Sequence, residues 1–217
     1  MARYGKDHKL ATRRRIIEAA GRRLKRDGID GSGVATLMAD AGLTNGAFYA
    51  HFESKEDLVA SVIADQVREQ RETFSGQPLE EIVRAYLSVA HRDDIGAGCP
   101  SAALLDEIAR SSQAVKGAYT HGQLALIDDV AARLAPEDPQ SARVGALGLF
   151  ALMVGTLEVS RALADQRLAD EVLEQGIQNA RALLATGGAG GAQERSSRSV
   201  PQRSRRAAPG PSGTGSH

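Results

Sequence analysis

Apolar residues recur at intervals of three and four along most of the chain, and this helical spacing limits the fold more than any other feature. Leu10, Ile17, Ala20 and Leu24 hold the period until Gly28 and Gly31 stop it, and Val34, Leu37, Met38 and Ala41 resume it as far as Gly42, a residue suited to a left-handed C-cap. A third short helix is expected from Thr44 to about Phe52. Ser54 then opens a fourth as N-cap, with Asp57 three residues on completing a capping box. Ser75-Gly76-Gln77-Pro78 breaks the pattern, and Pro78 suits the first position of a helix running to about Arg92. Gly96 to Pro100 starts another helix, Ser111-Ser112 interrupts it, and Pro136 to Pro139, with Asp138 as N-cap, separates two long helices over about 113–135 and 139–165. A last helix covers about 168–186. The expectation is an all-α chain of nine helices. Aromatic residues make up only 4% and tryptophan is absent, whereas a sandwich or barrel draws heavily on aromatic and β-branched residues.

The formal net charge is zero, but its distribution is uneven. Residues 1–52 hold 10 Lys/Arg against 5 Asp/Glu, residues 53–186 hold 12 against 21, and residues 187–217 hold 5 against 1. A basic amino-terminal block on an acidic body suggests a polyanionic partner at one end. The last segment is dominated by Gly, Ser, Arg, Pro and Ala with Val200 as its one sizeable apolar residue, so a disordered tail is expected there.

The single cysteine, Cys99, has no partner for an intramolecular disulfide, and the chain opens without a recognisable secretory leader, so a cytoplasmic protein is expected. The longest apolar run, Val144 to Leu157, has 14 residues, short of the ~20 that span a bilayer, and no membrane partner is expected. The five histidines lack metal-ligand spacing such as H-E-x-x-H, and neither a G-x-S-x-G elbow nor a phosphate loop occurs. Metals, cofactors and catalysis are therefore not expected.

Residues 34–52 carry the strongest chemical signal. A helix of eight residues, the turn Gly42-Leu43 and a second short helix beginning Thr44-Asn45-Gly46-Ala47 form a helix-turn-helix pattern. Asn45, Gly46 and Ala47 are small or amide-bearing and admit close approach to base edges, with Asn45 able to pair with adenine. Phe48 and Phe52, four apart, turn back onto Leu24, Leu37 and Met38. Tyr49 and His51 can donate to phosphates on the far side, and Lys55 lies in the first turn of the following helix, where free amides and an ammonium converge. Arg3, Lys6, Lys9 and Arg13 to Arg15 form a basic lead-in that can follow the backbone or the minor groove.

The run VATLMADAGLTNGAFYAHFESK, from Val34 to Lys55, followed by Glu56-Asp57-Leu58, resembles the DNA-binding domain of TetR-like bacterial transcriptional regulators, notably at Ala41-Gly42-Leu43, Phe48-Tyr49, His51-Phe52 and Lys55 to Leu58. The resemblance implies an all-helical homodimer. Three amino-terminal helices would bind DNA, a fourth would link them to a larger effector domain, and the last two helices of each subunit would form the dimer interface. It also implies phosphate contacts by Thr44, Tyr49, His51 and Lys55 and base proximity for Asn45, Gly46 and Ala47. Where many relatives carry a polar side chain this chain has Ala47, which leaves contact with a thymine methyl.

The division expected from these readings is 1–53 for DNA binding, 54–77 for the linking helix and loop, 78–186 for effector binding and dimerisation, and 187–217 for the basic tail. Within the body, Gly145, Gly148, Ala151 and Gly155, with Leu149, Met153 and Leu157 on the same helix, and Val172, Leu173, Ile177, Ala180 and Leu184 on the last helix, are the expected dimer surface. Tyr86, Leu104, Tyr119, His121, Phe150 and Met153 are expected to line an effector pocket. The expected function is a repressor that binds a palindromic double-stranded operator and is released by a small molecule. Beside it stand two other readings, an architectural DNA-binding protein without ligand and an enzyme built on Cys99 with His91 or His121.

Overall fold

The computed structural model describes residues 2–187, with side chains from Asp7 to Ala185. The expected tail and the side chains of Arg3 and Lys6 lie outside the described residues. Within them, every regular element is helical: α1 (Ala2–Asp27), α2 (Val34–Asp40), a 3-10 helix (Asn45–Ala50), α3 (Lys55–Phe74), α4 (Leu79–Tyr86), α5 (Val89–Asp93), α6 (Ser101–Arg110), α7 (Gln113–Leu134), α8 (Pro139–Ala162) and α9 (Gln166–Gly187).

The all-α expectation holds, but the described residues contain ten helices rather than nine. The segment expected to run from Pro78 to about Arg92 divides at Leu87-Ser88, because the Ser88 hydroxyl accepts the His91 amide at 3.2 Å and caps a new start. Pro78 stands just outside α4 as its N-cap, with extended ψ 139, rather than at the first helical position. The third element is a 3-10 helix, closed by Ala47 N–H to Thr44 O at 3.1 Å and His51 N–H to Phe48 O at 2.9 Å. Gly46 lowers the helical stability of these six residues, which close by bonds to the third residue back.

Two local devices set the geometry of the amino-terminal unit. Gly42 adopts φ 68, and its amide bonds Ala39 O at 2.9 Å while that of Leu43 bonds Met38 O at 2.9 Å, the double closure of a Schellman turn. At α3, Ser54 Oγ accepts the Asp57 amide at 3.1 Å and Asp57 Oδ2 accepts the Glu53 amide at 3.0 Å. The expected reciprocal cap therefore forms, reaching back one residue further than the standard box.

One core joins this unit to the body. Ile16, Leu24, Leu37, Met38, Phe48 and Phe52 pack with Leu58, Ile63 and Val67 of α3, and Leu104 and Ile108 of α6 and Val115 of α7 complete the same cluster. A second cluster gathers Ile82, Tyr86, Leu87 and Cys99 against α8 and α9.

Between the two clusters, the backbone around Asp94 to Pro100 is fixed by partly buried polar bonds. Arg161 of α8 donates to His91 O at 2.7 Å, Arg92 O at 3.1 Å and Ala102 O at 2.7 Å. Lys25 Nζ donates to Gly98 O at 2.8 Å. His91 Nδ1 donates to Tyr86 O at 2.7 Å, which fixes the neutral tautomer and leaves Nε2 to accept the Cys99 amide at 2.9 Å. A Cβ on Gly98 would stand 2.8 Å from the His91 ring, so only glycine fits there.

The surface expected for dimerisation divides in two. Leu149, Met153 and Leu157 face inward, as do Leu173, Ile177 and Ala180, because they share one core cluster with α4 and Cys99 within one chain. Gly145, Gly148 and Gly155 instead meet open space, and the exposed apolar residues beside them are Val144, Leu147 and Val159. By length and mean hydropathy α8 alone among the described helices is long and apolar enough to cross a bilayer, yet its inner face is part of the core.

Two expectations follow. Leu104→Ala, in α6, removes a residue 1% exposed in the core shared with α2 and should cost about 2–5 kcal/mol in urea unfolding. Hydrogen exchange should show the loss in α2 as much as in α6. Burial lowers the pKa of His91, with further lowering by Arg161 and Lys25 against the opposing bond to Tyr86 O. The unfolded chain therefore binds this proton more readily than the folded one, so stability should be full above about pH 6.5 and decline as pH falls below it. Thermal melts of His91→Asn should show a shallower decline over the same range.

Candidate nucleic-acid interface and interior cleft

The 3-10 helix has a packed side and a bare side. Phe48 is 1% exposed and its ring lies 5.7 Å from that of Phe52, which fixes the element's rotation. Thr44, Asn45, Gly46 and Tyr49 all face outward, with Tyr49 76% exposed and its ring edge-on to Phe48 at 5.2 Å. Ala47 is half-buried and packs on the core. At ~2.0 Å per residue, six residues of 3-10 helix span about 12 Å, the width of a B-form major groove.

Thr44 occupies the N-cap position, but its hydroxyl makes no capping bond, so it stays available on the surface. Lys55 is half-buried at the first position of α3, directly after the Ser54 cap. His51 is also half-buried. Its Nδ1 is buried with no partner among the described residues, and burial lowers its pKa, aided by the cations of Lys9 and Arg13.

The basic lead-in resolves into different roles. Arg13 turns inward, its guanidinium 4.7 Å from the centre of the Phe52 ring and bonded to Ser61 Oγ at 2.8 Å. Arg14 reaches Glu18 at 3.8 Å on an exposed face. Arg23, which the sequence pattern does not single out, holds Asp40 of α2 through two bonds of 2.6 and 2.9 Å and Asp27 at 2.6 Å. This clip ties α2 to α1.

The six residues expected to share an effector pocket do not lie together. Leu104 is in the shared core, and Tyr119 packs against it with its hydroxyl donating to Ser101 Oγ at 3.0 Å. His121 is exposed on α7. Phe150 and Met153 line an apolar cavity of only about 30 Å³ between α3, α4, α7 and α8. Tyr86 lines a larger and more polar cleft of about 260 Å³, together with Lys25, Gln66, Gln70, His91 and Cys99. Burial pushes the Tyr86 phenol well above its ordinary range, the adjacent Cys99 thiol adds to the shift, and its hydroxyl meets no nitrogen or oxygen partner among the described residues. The Cys99 thiol donates to Gln70 Oε1 at 3.5 Å. Gln66 and Gln70 lie four apart on a helix whose neighbouring positions, Val62, Ile63 and Val67, are buried, a polar interruption that the sequence displays. Among the described residues no cluster of His, Cys, Asp and Glu is arranged to hold a metal.

Residues 16–62 match the profile described as bacterial regulatory proteins, tetR family. The chain is 31% identical over 86 residues to the HTH-type transcriptional regulator AcrR of Shigella flexneri, an alignment covering 36% of this chain and 40% of that protein. It is 38% identical over 63 residues to the HTH-type transcriptional regulator TtgR of Pseudomonas putida, covering 29% of this chain and 30% of the relative. The similarity thus spans less than half the length of these relatives. The whole fold is similar to the crystal structure of reduced Escherichia coli NemR, with TM-score 0.63 and 20% identity over 79% of this chain and 96% of that one. It is also similar to a TetR-family transcriptional regulator from Cytophaga hutchinsonii, with TM-score 0.65 and 19% identity over 82% of this chain and 96% of the other. Over residues 16–62, the amino-terminal helices whose bare and packed faces are described above, the chain is similar to the TetR family of bacterial regulatory proteins.

Proposed function

We propose that the chain is a sequence-specific DNA-binding transcriptional regulator, a cytoplasmic homodimer that represses from a palindromic operator and leaves it when a small molecule binds. The observation that carries this reading is the 3-10 helix, locked from below by Phe48 and Phe52 and bare above at Thr44, Asn45, Gly46 and Tyr49. Its span matches the major groove, and the family match falls on the same residues. In this reading Asn45 contacts a base edge, Gly46 and Ala47 let the backbone approach, and Thr44, Tyr49, His51 and Lys55 hold phosphates. The chain divides as 1–53 for DNA, 54–77 as link, 78–186 for effector and dimer contacts, and 187–217 as a basic tail. No catalytic role is assigned to Cys99.

Dimerisation brings two such elements into successive grooves about 34–36 Å apart, or a multiple of that spacing. The outer face of α8 supports this role, since Val144 is 79% and Leu147 43% exposed beside glycines that meet open space. Release follows if the effector binds better to a dimer with the wrong spacing, so that affinity for the operator falls by the difference in its two binding energies.

Selection from random duplexes should yield palindromic sites. Tyr49→Ala and Lys55→Ala should weaken binding to all duplexes, and Lys55→Ala should lower the salt slope by about one. Asn45→Ala should cost about 1–3 kcal/mol at one base pair per half-site and little elsewhere. Equal losses on every sequence for all three variants would refute the assignment. Leu147→Asp should give monomers in analytical ultracentrifugation and lose cooperative operator binding; a dimer that persists would place the interface elsewhere.

A further inference from the structure

Around Cys99 the structure gathers polar groups that are incompletely matched among the described residues. Lys25, on α1, is 8% exposed, and its ammonium donates to a single neutral acceptor, Gly98 O at 2.8 Å. Among the described residues it forms no ion pair with a carboxylate; Glu69 lines the same cleft but from an exposed position on α3. Buried charges are as a rule paired, and an ammonium has three hydrogens to place. Tyr86 is 4% exposed and its hydroxyl meets only the weakly bonding Cys99 thiol, while the buried Gln66 Oε1 in the same cleft has no partner among the described residues. The unmet needs are an anion for Lys25, an acceptor for the Tyr86 hydroxyl and a donor for Gln66.

We propose that this cleft is the effector site of the regulator and takes a small organic carboxylate carrying a hydroxyl group, with the carboxylate on Lys25 and Tyr86 and the hydroxyl donating to Gln66 Oε1. The inference rests on the function proposed above and gives its effector a chemical class. A volume of about 260 Å³ suits a molecule the size of one substituted ring. The apolar cavity of about 30 Å³ beside Phe150 and Met153 does not.

The same contacts connect the cleft to the DNA-reading element. Lys25 lies two residues from Arg23, which holds α2 through Asp40. Gly98 O belongs to the turn that leads into α6, and Glu107 of α6 accepts the Asp30 amide at 2.9 Å in the loop between α1 and α2. A carboxylate seated on the unused hydrogens of Lys25 draws the ammonium toward the cleft and away from Gly98 O. It thereby favours an arrangement in which α1 and α6 are less tightly joined, and it weakens operator binding.

The experiment uses the full chain, the hydroxybenzoate isomers and their amides, with thermal denaturation and calorimetry as readouts. At least one hydroxybenzoate should stabilise the protein, its uncharged amide should bind at least about tenfold more weakly, and the acid should lower affinity for selected DNA. Lys25→Met and Tyr86→Phe should each weaken acid binding about tenfold, whereas His121→Ala on the exposed face of α7 should leave it unchanged. If Lys25→Met fails to fold by circular dichroism, Tyr86→Phe and Gln66→Leu decide the question. The proposal is overturned if no hydroxybenzoate stabilises the wild type, if amides bind as well as acids, or if the folded variants bind like the wild type. DNA affinity of the ligand-free protein is measured first. A protein that binds DNA but no acid refutes this site and leaves the function standing; one that binds acid through Lys25 and Tyr86 but no DNA refutes the function and upholds the site.

Discussion

Burial of Phe48 and Phe52 beneath a six-residue 3-10 helix is the constraint on which the rest of the structure depends. So short an element has little stability of its own, and its exposed residues keep a fixed orientation only because two aromatic rings are held in a core. That core draws on α1, α2, α3, α6 and α7 together. The bare face is therefore positioned by residues remote in sequence, and a change in how α6 meets α1 is felt there as a change of orientation. Arg23 and its two carboxylates reinforce the packing from outside, while Arg13, over Phe52, spends its charge on the same task.

The body complements this arrangement with a polar seam between two apolar clusters. Arg161, Lys25 and His91 each satisfy backbone groups around the turn before α6, and none of the three is paired with a carboxylate among the described residues. A seam of this kind specifies geometry more strictly than apolar packing, because a small displacement leaves buried groups unmatched. Glu107, bonded to the Asp30 amide, extends the connection to the loop between α1 and α2.

The amino-terminal unit was legible in the sequence because its determinants are local. Gly42, Ser54 with Asp57, and the spacing of Phe48 and Phe52 each act within five residues and point to the same structure. The third element was legible as a short helix, but whether such a segment closes as 3-10 or α depends on what holds its ends. The body was legible as helices and not as a site. Lys25 reads as one more charge on a basic helix, and only the return of the chain at Gly98 turns it inward. The expected pocket residues scattered because apolar spacing identifies buried positions without saying which cavity they face. Leu149 and Leu173 likewise belong to stripes that suit an interface between chains as well as one within a chain, and tertiary packing chose the second.

The interruption at Leu87-Ser88 has a chemical consequence beyond changing direction. In one continuous helix from Leu79 to Asp93 the carbonyl of Tyr86 would be taken by the amide of Ala90, four residues on. Ending α4 early releases that oxygen, and His91 collects it, so a ring nitrogen has its proton assigned by a helix that stops. Chain termini of helices are usually regarded as liabilities to be capped. Here the liability supplies the acceptor that orients an imidazole, and through the imidazole's opposite edge it anchors the amide of the chain's single cysteine.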